Sequence, residues 1–488
     1  MAMTERSTTP RDGQQEESRP AWWNPWNWPG GIWVLVIGSL LFATPFTIRA
    51  FMLSGVPVIA EPFDFDEFAK WEVPTEENAF TDYRQAAELH TRLLEDLKSQ
   101  GVVNVREPAD YTVFLDQGWS VADDSTKKWL ELHHEALTIW RRGTEKTRGR
   151  NLSPADFTFN TQLDVIQGMR TFVRLAMIEE SRLIAEGNLD EARQWARAAF
   201  RSGGHTTHRG SMIQGLVGVA IHAMSSNGLV RWAEQPAVTS EQLKQALADA
   251  RSDFRLYESR SNILKAEYLM LRNTFTSAKW TEMIAGVDPG QAAAAIPMKM
   301  GYWVVGEPEL TVRLCRQILA NQLPEIEKPL SMRRSVVGTG TAMLFDPDPT
   351  VTMPPGQLDP AEIDRCVKRS SLMRVVSPVM IQYDTAMLRQ QAKQAVLEVA
   401  LAAHAYRRDL GEFPPSLSEL LPNYLPAVPP DPCDPSGGPL LYRRDQALKA
   451  VVWSVGDDRV DSGGAVDSKN NRPADVGFLL KDDQGAEP

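Results

Sequence analysis

Cysteine is scarce in this chain: Cys315, Cys366 and Cys433 are the only three in 488 residues. At most one disulfide can form, leaving one thiol over, and the wide spacing matches neither a zinc knuckle nor a Cys-x-x-Cys redox pair. Separate thiols are the expectation. A basic excess is missing too, since 52 Lys and Arg against 63 Asp and Glu give a net charge of -11. Nucleic-acid surfaces leave a basic footprint, and no segment here carries one, which excludes that partner class. There is no G-x-S-x-G, no Walker loop and no dinucleotide fingerprint. Gly338 and Gly340 lack a following Gly-Lys-Ser/Thr and read as a turn. Ser125 and Lys128 fit an S-x-x-K string, but its companion strings S-D-N and K-T-G are absent. Helix capping by Ser125 is the plain account. Histidine is sparse, at seven residues. His205 and His208 lie one helical turn apart and His133, His134 and Glu135 are adjacent, yet neither group has the H-E-x-x-H form, so capping or surface roles are expected.

Long hydrophobic runs are few. The clearest, residues 31–48 (GIWVLVIGSLLFATPFTI), has no charge, and apolar character resumes after Arg49. About 20 residues cross a bilayer core, so a transmembrane helix is predicted within 31–54. Arg49 would snorkel near one end, Pro45 would kink the span, and Trp22, Trp23, Trp26, Trp28 and Trp33 are spaced like an interfacial belt. The preceding region is longer than a usual signal-peptide n-region and no A-x-A-like site follows, so the segment reads as an uncleaved signal anchor. Arg6, Arg11 and Arg19 before the span, against Arg49 and Lys70 after it, favour an N-terminus inside and the bulk outside the cytoplasm. Residues 1–30 then form a disordered cytoplasmic tail with a Trp-rich end.

After the acidic stretch 61–68 the pattern becomes helical, and 61–355 is assigned as an extracytoplasmic helical domain. Helical periodicity marks segments near 75–99, 124–140, 160–186, 189–202, 211–233, 240–253, 256–280 and 307–322. Within 187–200, Gly187 turns the chain and Ala192, Ala196 and Ala199 line one face. This resembles the second half of a tetratricopeptide hairpin, but no comparable block stands 34 residues away, so a generic antiparallel pair is the better reading. Between about 286 and 360 the pattern breaks down, and 335–360 reads as a long loop or flap.

A helix of about 30 residues follows, with Ile381, Leu388, Ala392, Val396, Val399, Ala403, Tyr406 and Leu410 forming one apolar stripe. Gly411, Pro414 and Pro415 end it. Short strands are predicted at 440–442 and 450–455. The sequences AYRRDLGEFPPSLSELLPNYLPAVPPDP (405–432), PLLYRRD (439–445), VVWSVGDDRVDSGG (451–464) and ADVG (474–477) resemble the C-terminal domain of the major pseudopilin of bacterial type II secretion. That resemblance implies a small α+β module over 360–480 with a short antiparallel sheet, followed by a disordered tail at 481–488. It also implies a structural calcium ion in the loop after the last strand. The matching ligands are the carbonyls of Val455 and Val460 and the carboxylate of Asp458. Asp467 is first choice for the second acid, with Asp461 and Asp475 behind it. Independently, Asp457, Asp458, Asp461, Asp467 and Asp475 among glycines and polar residues are oxygen donors of the kind calcium takes, or else a solvated acidic turn. The anchor has no pseudopilin processing start and stands some 340 residues from the module, so only the fold of the head transfers.

The expected fold class is therefore mainly α: one transmembrane helix, a helical domain and a small pseudopilin-like α+β end. The location implied is the bacterial inner membrane, single-pass, with the C-terminal bulk in the periplasm. The leading expectation for function is a non-enzymatic envelope scaffold or secretion-related interaction protein, with the bilayer and further proteins as partners. The alternative is a membrane-anchored hydrolase whose helical domain uses His205, His208 or His222.

Overall fold

The computed structural model describes residues 26, 28–101, 107–108, 111–159, 161, 164–277, 280–281, 292–337, 342–376, 378–446, 449–466 and 475–481. Residues 1–25, 27 and 482–488 of the predicted tails, the glycines at 338 and 340, and Asp467 fall outside those residues, while Lys481, assigned to the tail, ends a strand.

The chain is mainly helical. In order come α1 (Gly30–Ser54), α2 (Phe65–Ala69), α3 (Ala79–Ser99), α4 (Thr112–Gln117), α5 (Asp124–Leu132), α6 (His134–Thr144), α7 (Asp164–Ala185), α8 (Leu189–Thr207), α9 (Met212–Glu234), α10 (Ser240–Phe254) and α11 (Arg260–Thr276). There follow α12 (Ala292–Val304), α13 (Glu309–Gln322), a two-stranded ladder of β1 (Val336–Val337) and β2 (Leu344–Phe345), α14 (Pro360–Val367), α15 (Met373–Val376) and α16 (Pro378–Leu410). An antiparallel sheet of β3 (Leu441–Gln446), β4 (Lys449–Ser454) and β5 (Val476–Lys481) closes the fold, with β4 in the middle.

Local chemistry sets these boundaries. Asn78 caps α3 by accepting from the Phe80 amide at 3.1 Å, and its side chain also pins Arg150, accepting from its amide at 2.8 Å and donating to its carbonyl at 3.0 Å. Capping boxes open α9 (Ser211 with Gln214), α10 (Thr239 with Gln242) and α14 (Asp359 with Glu362), each satisfying amides that the helix leaves bare. For α5 the cap is Asp123, which accepts from Thr126 at 2.8 Å. Ser125, expected as the cap, sits inside the first turn, because the Asp123 carboxylate reaches the free amides from outside the helix. Gly187 adopts φ +76° between α7 and α8, a left-handed turn that a side chain would oppose. It allows Ala192, Ala196 and Ala199, all fully buried, to bring α8 close to its neighbours.

α1 is 25 residues long, contains Pro45, and buries no residue. At ~1.5 Å per residue it reaches about 37 Å, more than the ~30 Å of a hydrocarbon core. α9 is nearly as long and apolar, but 61% of its most apolar stretch is inside the protein, which makes it a core helix. Trp26 and Trp28 gather around Trp33 at the start of α1, with ring centroids 6.3 and 5.6 Å away.

One stripe was expected on α16, but residues 395, 396, 397 and 399–405 are buried on every side. The cause is its position: α9 and α10 pack on one flank, β4 and β5 on the other. Ala395, Val396, Val399, Ala400 and Ala403 thus join the same apolar core as Phe172, Trp195 and Trp232 of the helices and Ala450, Val452 and Leu480 of the sheet. A second core brings α11, α13, α14 and β2 together with Val56, just beyond α1. Several elements escaped the sequence pattern, the short helices α2, α4, α14 and α15 among them. β5 lies in a stretch read only as part of an aspartate-glycine tail, so the acidic loop connects β4 to β5 and does not follow the last strand. The pair β1–β2 has only two residues per strand, too short for alternation to show. α12 is apolar apart from Lys299 and interrupted by Pro297, which hides any helical period.

Leu401→Ala removes a fully buried side chain from the shared core, and a loss of about 2–5 kcal/mol is expected. In urea titration of the full chain in detergent, helical ellipticity and the emission of Trp453 on β4 should shift together to lower denaturant. Separate transitions would contradict a common core.

Candidate functional site

The loop from 455 to 475 begins where β4 leaves the sheet. Asp431, between two prolines and buried, accepts from the Ser454 hydroxyl at 2.6 Å and from the amides of Val455 and Cys433 at 2.9 Å each. Asp475 is buried at the loop's far end and accepts from Ser462 at 3.2 Å, Gly464 at 2.9 Å and Ala465 at 3.0 Å. Asp461 takes the Trp453 indole N–H at 2.9 Å and the Gly463 amide at 2.8 Å. Asp457 pairs with Arg389 of α16 at 2.7 Å. The turn that carries Val455, Asp458 and Val460 contains Arg459 at φ +60°. Asp458 accepts from the Val460 amide at 3.0 Å and is otherwise directed to solvent, and Val460 is exposed.

Val455, Asp458 and Val460 are therefore close along one turn, while Asp461 and Asp475, the reserve ligands, point at loop amides and an indole. Among the described residues no group of three His, Cys, Asp or Glu is arranged to hold a metal ion. Completion of the expected calcium set turns on Asp467, outside those residues. Asp431 was missed as an organising acid. Its one sequence signal is its place between Pro430 and Pro432, which holds the chain extended so that the carboxylate reaches across to β4.

The histidines lie in the helical layers. The Tyr83 hydroxyl and His205 Nδ1 are hydrogen-bonded at 2.7 Å, and both residues are inside the protein. His208 Nδ1 accepts from the Gly149 amide at 3.0 Å and Nε2 donates to the Leu256 carbonyl at 2.5 Å, which fixes a neutral tautomer. His222 Nε2 bonds Gln394 Oε1 of α16 at 3.2 Å, and its ring is enclosed by Phe200, Phe254 and Tyr257. His133 bonds the Trp129 carbonyl and His90, both at 2.8 Å, while its neighbours His134 and Glu135 face outward. Burial is the first cause of depressed basicity in all four. It lowers His205 and His208, takes His133 down to about 4 and takes His222 down to about 3. Lys128, of the S-x-x-K string, pairs with Glu131 at 2.9 Å on the surface.

Beside them runs an ionic ladder that no motif announced. Arg193, Arg197 and Arg201 stand on successive turns of α8 and face Asp249 and Asp253 of α10. The contacts are Arg193–Asp249 at 2.7 Å, Arg197–Asp249 at 3.2 Å, Arg197–Asp253 at 2.7 Å and Arg201–Asp253 at 2.5 Å. Arg201 also donates to the carbonyls of Thr144 at 2.6 Å and Lys146 at 2.9 Å at the end of α6. The i, i+4, i+8 spacing of the arginines was a legible signal, because it puts them on one helical face. A cavity of about 10 Å³ lies among these residues and Phe200 and Leu229, enough for roughly one water.

The fold and these sites define a class, a mainly helical protein with an exposed apolar helix near its N-terminus and a small antiparallel sheet. Comparison with protein-family models, with curated proteins and with solved structures found no match.

Two outcomes follow. Asp253→Ala takes a buried carboxylate away from the half-buried guanidinium groups of Arg197 and Arg201, which keep Asp249 and the α6 carbonyls, and should cost about 1–3 kcal/mol in denaturant unfolding. The histidines make stability pH-dependent in a defined direction. His133 and His222 titrate below their ordinary value near 6.5, so on acidification the unfolded chain takes up protons that the folded chain refuses. Stability should fall as the pH drops from about 6.5 toward 4, and His222→Phe should reduce that slope by up to ~1.4 kcal/mol per pH unit.

Proposed function

We propose that this is a single-pass protein of the bacterial inner membrane whose bulk faces the periplasm, serving as a non-enzymatic scaffold for envelope or secretion-related assembly. The observation that carries the reading is how the anchor joins the fold. Arg49 bonds Glu309 of α13 at 2.6 Å, and Arg313 donates to the carbonyls of Leu53 at 3.3 Å and Val56 at 3.1 Å. Val56 is fully buried in the second core. Removing α1 after export would cut into these contacts, which supports a retained anchor over a cleaved signal. A domain fixed at its root presents its surfaces at a set height above the bilayer, which suits an assembly platform. The buried imidazoles of His205 and His222 lend the hydrolase alternative no support.

Partner surface is offered by the sheet. α16 lies against β4 and β5, and β3 forms an outer edge with Arg443 and Arg444 along it. Edge strands accept an added strand through backbone hydrogen bonds, and charges such as these deter unselective pairing. The pseudopilin-like reading of 360–480, with structural calcium held by Val455, Asp458, Val460 and Asp467, belongs to the same proposal.

Photo-crosslinking residues placed at Arg443 and Asp445 in living cells should yield a discrete adduct with an envelope protein. No adduct there or on the helical surface, together with ester or peptide turnover lost in His205→Asn, would replace the scaffold with the hydrolase. For the metal, calorimetry on the full chain should show calcium binding that Asp458→Ala weakens at least about tenfold. Indifference of both proteins to millimolar calcium would remove the site.

A further inference from the structure

We propose that α12 is a second membrane-embedded element, lying in the headgroup–acyl boundary beside the anchor. This rests on the reading of α1 as a retained transmembrane helix and adds to it a lipid-binding face on the extracytoplasmic domain itself.

The surface of α12 is inverted relative to a water-facing helix. Ile296, Met300 and Trp303, at i, i+4 and i+7, share one face and are 59%, 64% and 37% exposed. Val305, just past the helix, is 37% exposed and continues the patch. The opposite face holds Met298 and Tyr302, both half-buried, and the Tyr302 ring meets Trp280 edge-on at 5.3 Å. Lys299, half-buried, is the one charged residue of α12, and apart from Trp303, which meets α1, the apolar outer face is uncovered and calls for an apolar medium outside.

The anchor says which medium. Trp303 packs edge-on against Phe46 at 5.1 Å, and Phe46 lies within the uncharged run of α1. One turn later, the Arg49 guanidinium sits 5.0 Å from the Trp303 ring and donates to the Trp303 carbonyl at 2.8 Å. Further on, Gly306, at φ +85°, passes so close to Met52 and Leu53 that an added Cβ would stand 3.4 Å from each. Going from Trp303 to Gly306 thus follows α1 from Phe46 to Leu53. Met300 and Ile296 precede Trp303 on the same face of α12, on the side away from Gly306 and Leu53. A bilayer that covers residues 31–48 of α1 must reach the exposed face of α12. Tryptophan is favoured at that depth, and Arg49 reaches the same level through its long stem. The apolar face of α12 and the lipid-facing side of α1 form one continuous surface, so hydrocarbon is the occupant.

Single cysteines at Met300, Leu41 (anchor) and Glu241 (α10, exposed) can be labelled with an environment-sensitive fluorophore in a full-length Cys366→Ser background, since Cys315 and Cys433 are buried. The probe is vesicles of phosphatidylethanolamine and phosphatidylglycerol carrying nitroxide lipids, labelled either near the headgroup or at mid-chain. The label at Met300→Cys should lose roughly half its emission or more with the shallow nitroxide and resist aqueous iodide, as an interfacial helix does. Leu41→Cys should respond to the mid-chain nitroxide and Glu241→Cys to iodide only. Quenching at Leu41 without any at Met300 overturns the role of α12 and leaves the anchor standing. Failure at Leu41 removes the anchor reading, and with it this one. Protection of Met300 from both quenchers means a protein covers the face, which also overturns the proposal.

Discussion

The requirement that α16 be buried on all sides governs the rest of the molecule. A 33-residue helix with ten of its residues between 395 and 405 buried exposes no face that water could take in its central turns. α9 and α10 cover one flank and the sheet covers the other, so helical layers and sheet share a single core. Small residues make this feasible. Ala392, Ala400, Ala402, Ala403 and Ala405 let backbones approach closely, while Val396, Leu397 and Leu401 fill the space between. The sheet has only three strands and would be marginal alone. Its stability comes from α16.

Polar groups inside the fold act as organisers. Asp253 holds two arginines of α8, and Arg201 in turn receives the end of α6, so three helices are fixed in register by one carboxylate. Asp431 and Asp475 do the same for the C-terminal loop, collecting amide donors that have no strand or helix partner. Within the described residues 455–466 the loop amides and the end of β4 are gathered by these two buried aspartates. The buried histidines His133, His205, His208 and His222 follow the same logic, each held by hydrogen bonds to a carbonyl, an amide, another imidazole or a phenol. Chemistry that looked available in the sequence is absorbed into structure.

At the root of the domain the organising residues change. Arg49, Glu309, Arg313 and the carbonyls of Leu53 and Val56 join the apolar helix to the second core over a short distance. α12 lies at that junction, with Ile296, Met300 and Trp303 exposed beside the apolar helix.

Much of this was legible. The uncharged run at 31–48, the turn at Gly187, the stop at Gly411 and the strong periods of α3, α8 and α10 are local signals, and local propensity reads them directly. So did the acidic character of the loop after β4. Tertiary contact alone determined that α16 is central, that β5 is a strand, that α12 is a helix with an exposed apolar face, and that Asp431 reaches across to β4. Periodicity reports one buried face at a time, so it has no voice where burial is complete, as on α16, or where both faces are apolar, as on α12. Strand identity in β5 depends on β4 lying beside it, and the roles of Asp253 and Asp431 depend on donors far away in sequence. The sequence by itself determined where the long amphipathic helices run and where the charge-free span lies. Only the tertiary structure decided which surfaces meet, because burial is a property of neighbours and not of the residue.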